Sequence, residues 1–340
     1  FAWRAPLLRQ GGLFAPISRE GSLVLNNLFL VAACATVLVG TLYPLLLEML
    51  TGEKITVGPP FFNATFIPLA IPLLLIVPFG QALAWKRGDV LAASQRLFAA
   101  LAVALVVGFA VLALTWGGPV MAPLGIGLGA YLLIGSVLEI WARARGYGQN
   151  RTRDLGTTWR RAIGLPRSAW GTALAHAGVG VVVIGIAAQG WATEGLATLK
   201  PGQTLSTGPY TATLDRVAPR AGPNYEEAAA FLTIRTRSGD EVGRVETGKR
   251  FYPSRKMSVT ESGLLTIGAS QVYASLGEIG QDGGVGVRLY YKPLVLMIWL
   301  GAVVMALGGG LSLTDRRMRV GVPAKARARA MPSAAAVPAE

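Results

Sequence analysis

The chain has 340 residues, of which 52% are hydrophobic and only 15% charged, and its mean hydropathy is +0.47. Soluble domains carry about 25% charged residues, so this composition excludes an entirely soluble protein and predicts a membrane protein with a soluble part. The single cysteine, Cys34, excludes a disulfide framework or a multi-cysteine zinc site within the chain. The net charge of +14 is concentrated in residues 142–170 and in the tail from Thr314, which favours membrane-flanking clusters over nucleic-acid binding.

The first residues, Phe1-Ala-Trp-Arg4, look like the last turn of a membrane span. They include no initiating methionine and no signal-peptide pattern. We therefore expect the chain to be a fragment of a longer protein, with residues 1–22 forming a cytoplasmic segment after a truncated span.

Six stretches are long and apolar enough to cross a membrane, which takes about 20 residues. They are residues 23–47, 66–85, 97–116, 122–141, 171–190 and 293–313. The second contains Pro68, Pro72 and Pro78, so we expect it to be the least regular helix.

The basic residues predict the orientation of these spans, because loops rich in Lys and Arg stay in the cytoplasm. Residues 142–170 hold seven arginines against one aspartate, whereas 48–65 and 117–121 hold one basic residue between them. We predict a membrane bundle of five spans over 23–190, a periplasmic domain over 191–292, a final transmembrane helix over 293–313 and a basic, disordered cytoplasmic tail over 314–340. The predicted fold class is a polytopic α-helical membrane protein with an inserted small antiparallel β periplasmic domain.

The segment 191–292 has the alternation of β-strands. Apolar and polar residues alternate over 231–236 and again over 285–291, while Ser238-Gly-Asp240 and Gly283-Gly284 are typical of turns. These patterns predict antiparallel strands without a helix longer than a turn or two.

His176 is the only histidine, and it lies in the apolar run 172–188. Hydrocarbon offers an imidazole no partner, so the ring must be hydrogen-bonded to another helix or bound to a ligand such as iron. Counting from Gly171, it should lie about 7–8 Å inside the helix.

Glu139 and Glu48 are expected to be solvated at span ends, and Gln81 and Gln189 to be satisfied by neighbouring helices.

Eight segments together resemble one family. They are Ser18–Asn27, Gly40-Thr-Leu-Tyr-Pro44, Ile55–Asn63, Leu174-Ala-His-Ala-Gly178, Gly222-Pro-Asn-Tyr225, Lys249-Arg-Phe-Tyr-Pro253, Tyr273–Glu278, and Arg288–Pro293 with Ile298–Gly301. Through them the chain resembles the C-terminal half of the CcmF/NrfE-like family, the haem lyase subunits of bacterial system I cytochrome c maturation.

The resemblance implies a function in haem attachment. CcmF proteins receive haem from a CcmE-type chaperone and, with CcmH-type thiol subunits, promote its attachment to the Cys-x-x-Cys-His motif of apocytochrome c. They also carry a b-type haem held by two transmembrane histidines, with quinol as the expected electron donor. His176 matches the second of these histidines, so the resemblance implies that His176 is an axial ligand of haem b.

Small residues near His176, namely Ala173, Ala177 and Gly180, leave two interpretations open: room for the flat haem macrocycle, or close packing of membrane helices. Arg161 and Arg167 could face the haem propionates, although positive-inside anchoring already explains these arginines.

The family's tryptophan-rich loop and its flanking histidines have no match here, since the chain contains no Trp-Trp pair. We therefore expect this chain by itself to be inactive as a lyase, and assign no catalytic residue. Two alternatives remain at this point: a membrane transporter, which broken helices suggest, and a non-catalytic assembly scaffold. No carboxylate lies near the middle of any predicted span, which disfavours a proton- or sodium-coupled transporter.

Overall fold

The computed structural model describes residue 13 and residues 15–146, 152–280 and 283–315. The cytoplasmic tail predicted from residue 314 lies almost entirely outside these residues, as do residues 1–12. Within them, six helices are long and apolar enough to cross a membrane, as predicted. They are α1 (Arg19–Thr51), α2 (Pro59–Ala82), α3 (Val90–Leu114), α4 (Met121–Arg145), α6 (Arg167–Ala188) and α7 (Leu296–Leu313).

The proline-rich helix α2 is continuous, so Pro68, Pro72 and Pro78 do not end it. Neighbouring α4 explains why it survives. The ring of Pro78 packs where Gly135 has no side chain, since a Cβ there would lie 2.7 Å from the ring. Pro78 has no N–H with which to donate to the carbonyl one turn earlier in α2. The Tyr131 hydroxyl donates a hydrogen bond to a carbonyl in that turn, that of Leu75 (3.2 Å).

A short helix that the sequence patterns did not predict, α5 (Leu155–Ile163), lies between α4 and α6. Asp154 caps it by accepting a hydrogen bond from the backbone N–H of Thr157 (2.6 Å). Its buried face includes Ala162, which packs with residues of α4 and α6, and the indole N–H of Trp170 donates to the Ala162 carbonyl (3.0 Å). The basic segment is therefore folded against one end of the bundle.

The chain between α6 and α7 forms a β-sandwich of two antiparallel sheets. The strands are β1 (Thr193–Leu199), β2 (Thr204–Thr207), β3 (Tyr210–Ala221), β4 (Glu226–Thr236), β5 (Glu241–Tyr252), β6 (Met257–Glu261), β7 (Gly263–Ile267), β8 (Ser270–Ile279) and β9 (Val285–Lys292). One sheet has the order β1-β9-β8-β7 and the other β2-β3-β4-β5-β6. The alternating residues predicted the inward face: Leu232 and Ile234 of β4, and Val287 and Leu289 of β9, are fully buried between the sheets.

The sandwich is inserted so that its first and last strands are neighbours. Strand β1 follows α6 and pairs antiparallel with β9, which precedes α7, from Thr193 opposite Tyr291 onwards. A partly buried polar contact reinforces the junction, because the Gln189 side chain donates to the carbonyl of Pro293 (2.8 Å). This pairing places the adjoining ends of α6 and α7 side by side.

Candidate functional site

Helix α6 positions His176, and it begins four residues earlier than the predicted span. Its N-cap, Pro166, provides no side-chain hydrogen bond. Instead Asp315, just after α7, accepts a hydrogen bond from the backbone N–H of Ser168 (3.0 Å). Since the helix starts at Arg167, His176 lies about 14 Å along it rather than the 7–8 Å counted from Gly171.

A membrane helix distant in sequence brings a polar side chain to the imidazole. Gln81, one residue before the end of α2, has its amide nitrogen in contact with Nδ1 of His176 and 3.4 Å from Nε2. Both side chains are partly buried. The amide therefore lies beside the ring edge that carries both nitrogens. The sequence analysis foresaw that Gln81 would find a partner on a neighbouring helix, but not that the partner would be His176.

Helix α4 contributes a buried charge. The Glu139 side chain is only 7% exposed and forms an ion pair with Arg143 one turn later, so the expectation of a solvated carboxylate was wrong. Its second oxygen, Oε2, is buried and has no hydrogen-bond partner among the described residues. Glu139 also interacts electrostatically with His176. Polar residues within apolar helices were the signal for both Gln81 and Glu139, but the sequence could not place them together.

These three residues lie towards one end of the bundle. Gln81 is near the last residue of α2, Glu139 is six residues before the end of α4, and His176 is in the first half of α6. The basic segment that contains α5 joins the same ends of α4 and α6. In the orientation predicted from the arginines this is the cytoplasmic half of the membrane. Arg161 and Arg167 are both exposed here.

The small residues of α6 serve helix packing. Gly171 and Gly178 face α7 so closely that a Cβ would lie 2.5 Å from the carbonyl oxygen of Gly308 and 2.8 Å from that of Gly301. Gly180 faces α4, where a Cβ would lie 2.8 Å from the carbonyl oxygen of Gly129. Of the residues considered as a haem cradle, Gly180 and Ala173 are thus buried against protein. This favours the packing interpretation for them.

The methionines of α7, Met297 and Met305, pack against the face of α6 that carries Gly178 and Gly185. A Cβ at Gly178 would meet Met305, and one at Gly185 would meet Met297. His176 is two residues from Gly178, a rotation of about 200° on a helix, so its side chain points away from these methionines. The two sulfur atoms therefore do not share a site with the imidazole.

The residues around the imidazole fit a site to which this chain would contribute one histidine nitrogen. The ring lies in a membrane helix with Gln81 in contact with it, and the unpartnered Oε2 of Glu139 lies towards the same end of the bundle. Within the described ranges no group of three or more His, Cys, Asp or Glu residues could hold a metal ion by itself. A metal-containing group bound here would therefore take its one imidazole from His176, the only histidine in the sequence.

Known proteins resemble this chain in both of its parts. Residues 190–293 match the family model described as the CcmF C-terminal beta-sandwich. The chain is 52% identical over 328 residues to the cytochrome c-type biogenesis protein CycK of Rhizobium meliloti, covering 96% of this chain and 48% of that protein. It is 53% identical over 330 residues to CycK of Bradyrhizobium diazoefficiens, covering 97% and 49%.

A solved structure of the cytochrome c haem lyase CcmF aligns with 88% of this chain and 46% of its own, with a TM-score of 0.68 and 25% identity. The chain therefore spans about half the length of the curated relatives it matches. The similarities run through the membrane helices as well as the β-sandwich, and they show that this chain belongs to the CcmF family of cytochrome c-type biogenesis proteins.

Proposed function

We propose that this chain is part of a cytochrome c haem lyase and that His176 is one axial ligand of a b-type haem within the membrane. The observation that carries the proposal is the placement of the only imidazole in the chain, which lies in a membrane helix in contact with Gln81 and interacts with the charge of Glu139. If a second histidine also bound the iron, no position would remain open for oxygen chemistry, so the bound group would serve electron transfer.

The residues of this chain have three roles in that proposal. His176 would supply a nitrogen lone pair, Gln81 of α2 contacts the imidazole, and Glu139 of α4 contributes a negative charge that acts on it. By the family resemblance, the second histidine would lie in the part of the longer relatives that this chain does not match. The transfer of haem to apocytochrome c would take place there as well.

The remaining assignments follow the family resemblance. The partners would be a CcmE-type haem chaperone, a CcmH-type thiol subunit and apocytochrome c, with quinol as the electron donor. The chain would lie in a bacterial inner membrane with its β-sandwich in the periplasm. The sandwich contains no histidine or cysteine, so its role would be to dock partners rather than to hold iron.

The test uses the complete, longer protein. His176→Ala should abolish the split α-band absorption of the b-type haem and the production of holocytochrome c, while the protein still inserts into the membrane. His176→Gly should behave alike, and added imidazole should partly restore both properties. Met305→Leu is the control, because Met305 packs on the opposite face of α6 and should be dispensable for the spectrum.

If His176→Ala retained its full haem content and matured cytochrome c, the histidine would be a packed intramembrane residue and the proposal would fail. The absorption spectrum also separates this function from the alternatives. A membrane transporter or an assembly scaffold would purify without b-type bands.

A further inference from the structure

Gln81, which contacts His176, is an unusual residue in α2, because the helix before it is apolar. From Phe66 to Gly80, α2 has no polar side chain, and Gln81 is the first after this run. An amide at this depth is unfavourable unless it is hydrogen-bonded, and the neighbouring element presents the edge of the imidazole to it. The pairing joins residues 95 positions apart in the sequence.

A neutral imidazole carries one N–H and one lone pair, so only one nitrogen at a time can bind a metal. An iron ligand at Nε2 requires the proton on Nδ1, and that N–H then needs an acceptor. A glutamine amide is suited to both states of the ring. Its nitrogen can donate to Nδ1 when that atom carries the lone pair, and after a half-turn of the amide its oxygen can accept from the Nδ1 proton.

Glu139 is poorly placed for this role. One oxygen of its carboxylate is engaged by Arg143, and the residue interacts with His176 through its charge, without a hydrogen bond. Gln81, in contrast, contacts the ring itself and lies closer to Nδ1 than to Nε2. The hydrogen-bond partner of the imidazole is therefore the amide.

We propose that Gln81 is the positioning residue of the haem site: after that half-turn of the amide, which exchanges the nitrogen now at the ring for Oε1, the oxygen accepts the Nδ1 proton of His176 and so holds the Nε2 lone pair available for iron. The inference rests on the proposed function, because it assumes that His176 binds haem. It adds a residue from α2 to a site whose proposed ligand, His176, is on α6. The family resemblance, which concerned the histidine alone, gives Gln81 no such role.

Three variants of the complete, haem-loaded protein test this role. Gln81→Leu removes the acceptor, and Gln81→Glu replaces it with a stronger one. The matched control is Gln189→Leu, which removes another membrane-helix glutamine whose amide donates only to the carbonyls of Gly185 (2.9 Å) and Pro293 (2.8 Å).

Two measurements report on the imidazole rather than on activity. The first is haem loss to excess apomyoglobin, and the second is the reduction midpoint potential. Loss of an outer-shell partner typically weakens binding by about 10- to 100-fold, so Gln81→Leu should lose haem faster by a similar factor. Its midpoint potential should become more positive, because an imidazole without an acceptor donates less electron density to iron. Gln81→Glu should shift the potential in the negative direction, and Gln189→Leu should shift neither measurement.

The opposite shifts of the leucine and glutamate variants protect the test from a folding artefact, since misfolding does not produce shifts of opposite sign. Wild-type haem loss and potential in Gln81→Leu, or shifts of the same sign in both Gln81 variants, would overturn the inference. His176→Ala is measured in parallel. If it keeps its haem, the proposed function itself fails, whereas haem loss in His176→Ala with an unchanged Gln81→Leu would refute only the role of Gln81.

Discussion

The carboxylate of Asp315 accepts a hydrogen bond from the backbone N–H of Ser168, 147 residues earlier in the chain, at 3.0 Å. Asp315 is only 7% exposed and follows directly after α7. It therefore satisfies a free N–H at the start of α6 and places a negative charge at the positive end of that helix. The end of the last membrane helix thus caps the helix that carries His176.

Asp315→Ala should destabilise this end of the bundle, because the proline N-cap of α6 offers no replacement acceptor. Loss of a side-chain cap typically costs about 1 kcal/mol. We expect a lower thermal midpoint for the detergent-purified protein, with a smaller decrease for Asp315→Asn, which keeps an acceptor oxygen. Thr314→Ala is the control, because that side chain is exposed and bonds only within its own helix. An equal midpoint for Asp315→Ala and Thr314→Ala would show that the cap contributes nothing.

Adjacent glycines of α7 should respond differently to the same substitution. A Cβ at Gly308 would lie 2.6 Å from the backbone nitrogen of Ala175, whereas a Cβ at Gly309 meets no atom within 4 Å. Gly308→Ala should therefore force α6 and α7 apart and lower the thermal midpoint, since overpacking costs about 1–3 kcal/mol. Gly309→Ala should leave it unchanged or raise it slightly, because alanine has the higher helix propensity. Equal effects of the two substitutions would mean that this helix contact is not tight.

In the β-sandwich, the buried carboxylate of Glu227 is the centre of an ion-pair network. Its side chain is 2% exposed and accepts from Arg220 (2.8 Å) and from Arg250 (3.1 Å), whose side chains are partly exposed. Each arginine keeps a second carboxylate partner, so the loss is that of charge-assisted hydrogen bonds, which contribute about 1.5–3 kcal/mol. Glu227→Ala should lower the urea midpoint of residues 190–293, measured by far-ultraviolet circular dichroism. Glu241→Ala, which removes pairs at a half-exposed carboxylate, should lower it much less. A larger effect at Glu241 would contradict this assignment.

The orientation of the protein predicts the activity of reporter fusions. Alkaline phosphatase fused after Gly239, in the turn between β4 and β5, should be active because that turn would lie in the periplasm. The same enzyme fused after Gly156, in the arginine-rich segment, should be inactive. The reverse pattern of activity would overturn the orientation.

The charge of Glu139 should tune the proposed haem. Glu139→Gln removes a negative charge that interacts with His176, so the oxidised, more positive iron loses stabilisation and the midpoint potential of the complete protein should rise. Glu48→Gln is the matched control, because that carboxylate is 46% exposed and pairs with Lys54 in the loop after α1. A redox titration that gives the same potential for both variants would show that Glu139 does not act on the iron.

The sequence by itself determined the architecture. Six apolar stretches and an alternating segment were enough to predict the membrane helices and the inserted β-domain, since length and periodicity are local properties of the chain. The unusual position of His176 could also be recognised from its neighbours in sequence. Family motifs then predicted the class of protein, which the comparisons confirmed.

Only the tertiary structure decided which side chains meet. Nothing local in the sequence distinguishes Gln81, which contacts His176, from Gln189, which bonds to backbone carbonyls. Glu139 was expected to be solvated because it lies near a span end, but its side chain is only 7% exposed in the packed bundle. Whether a polar residue in an apolar helix faces lipid, backbone or a ligand depends on how the helices rotate and pack, and those rotations follow from contacts between residues distant in the chain, such as Gly178 with Gly301.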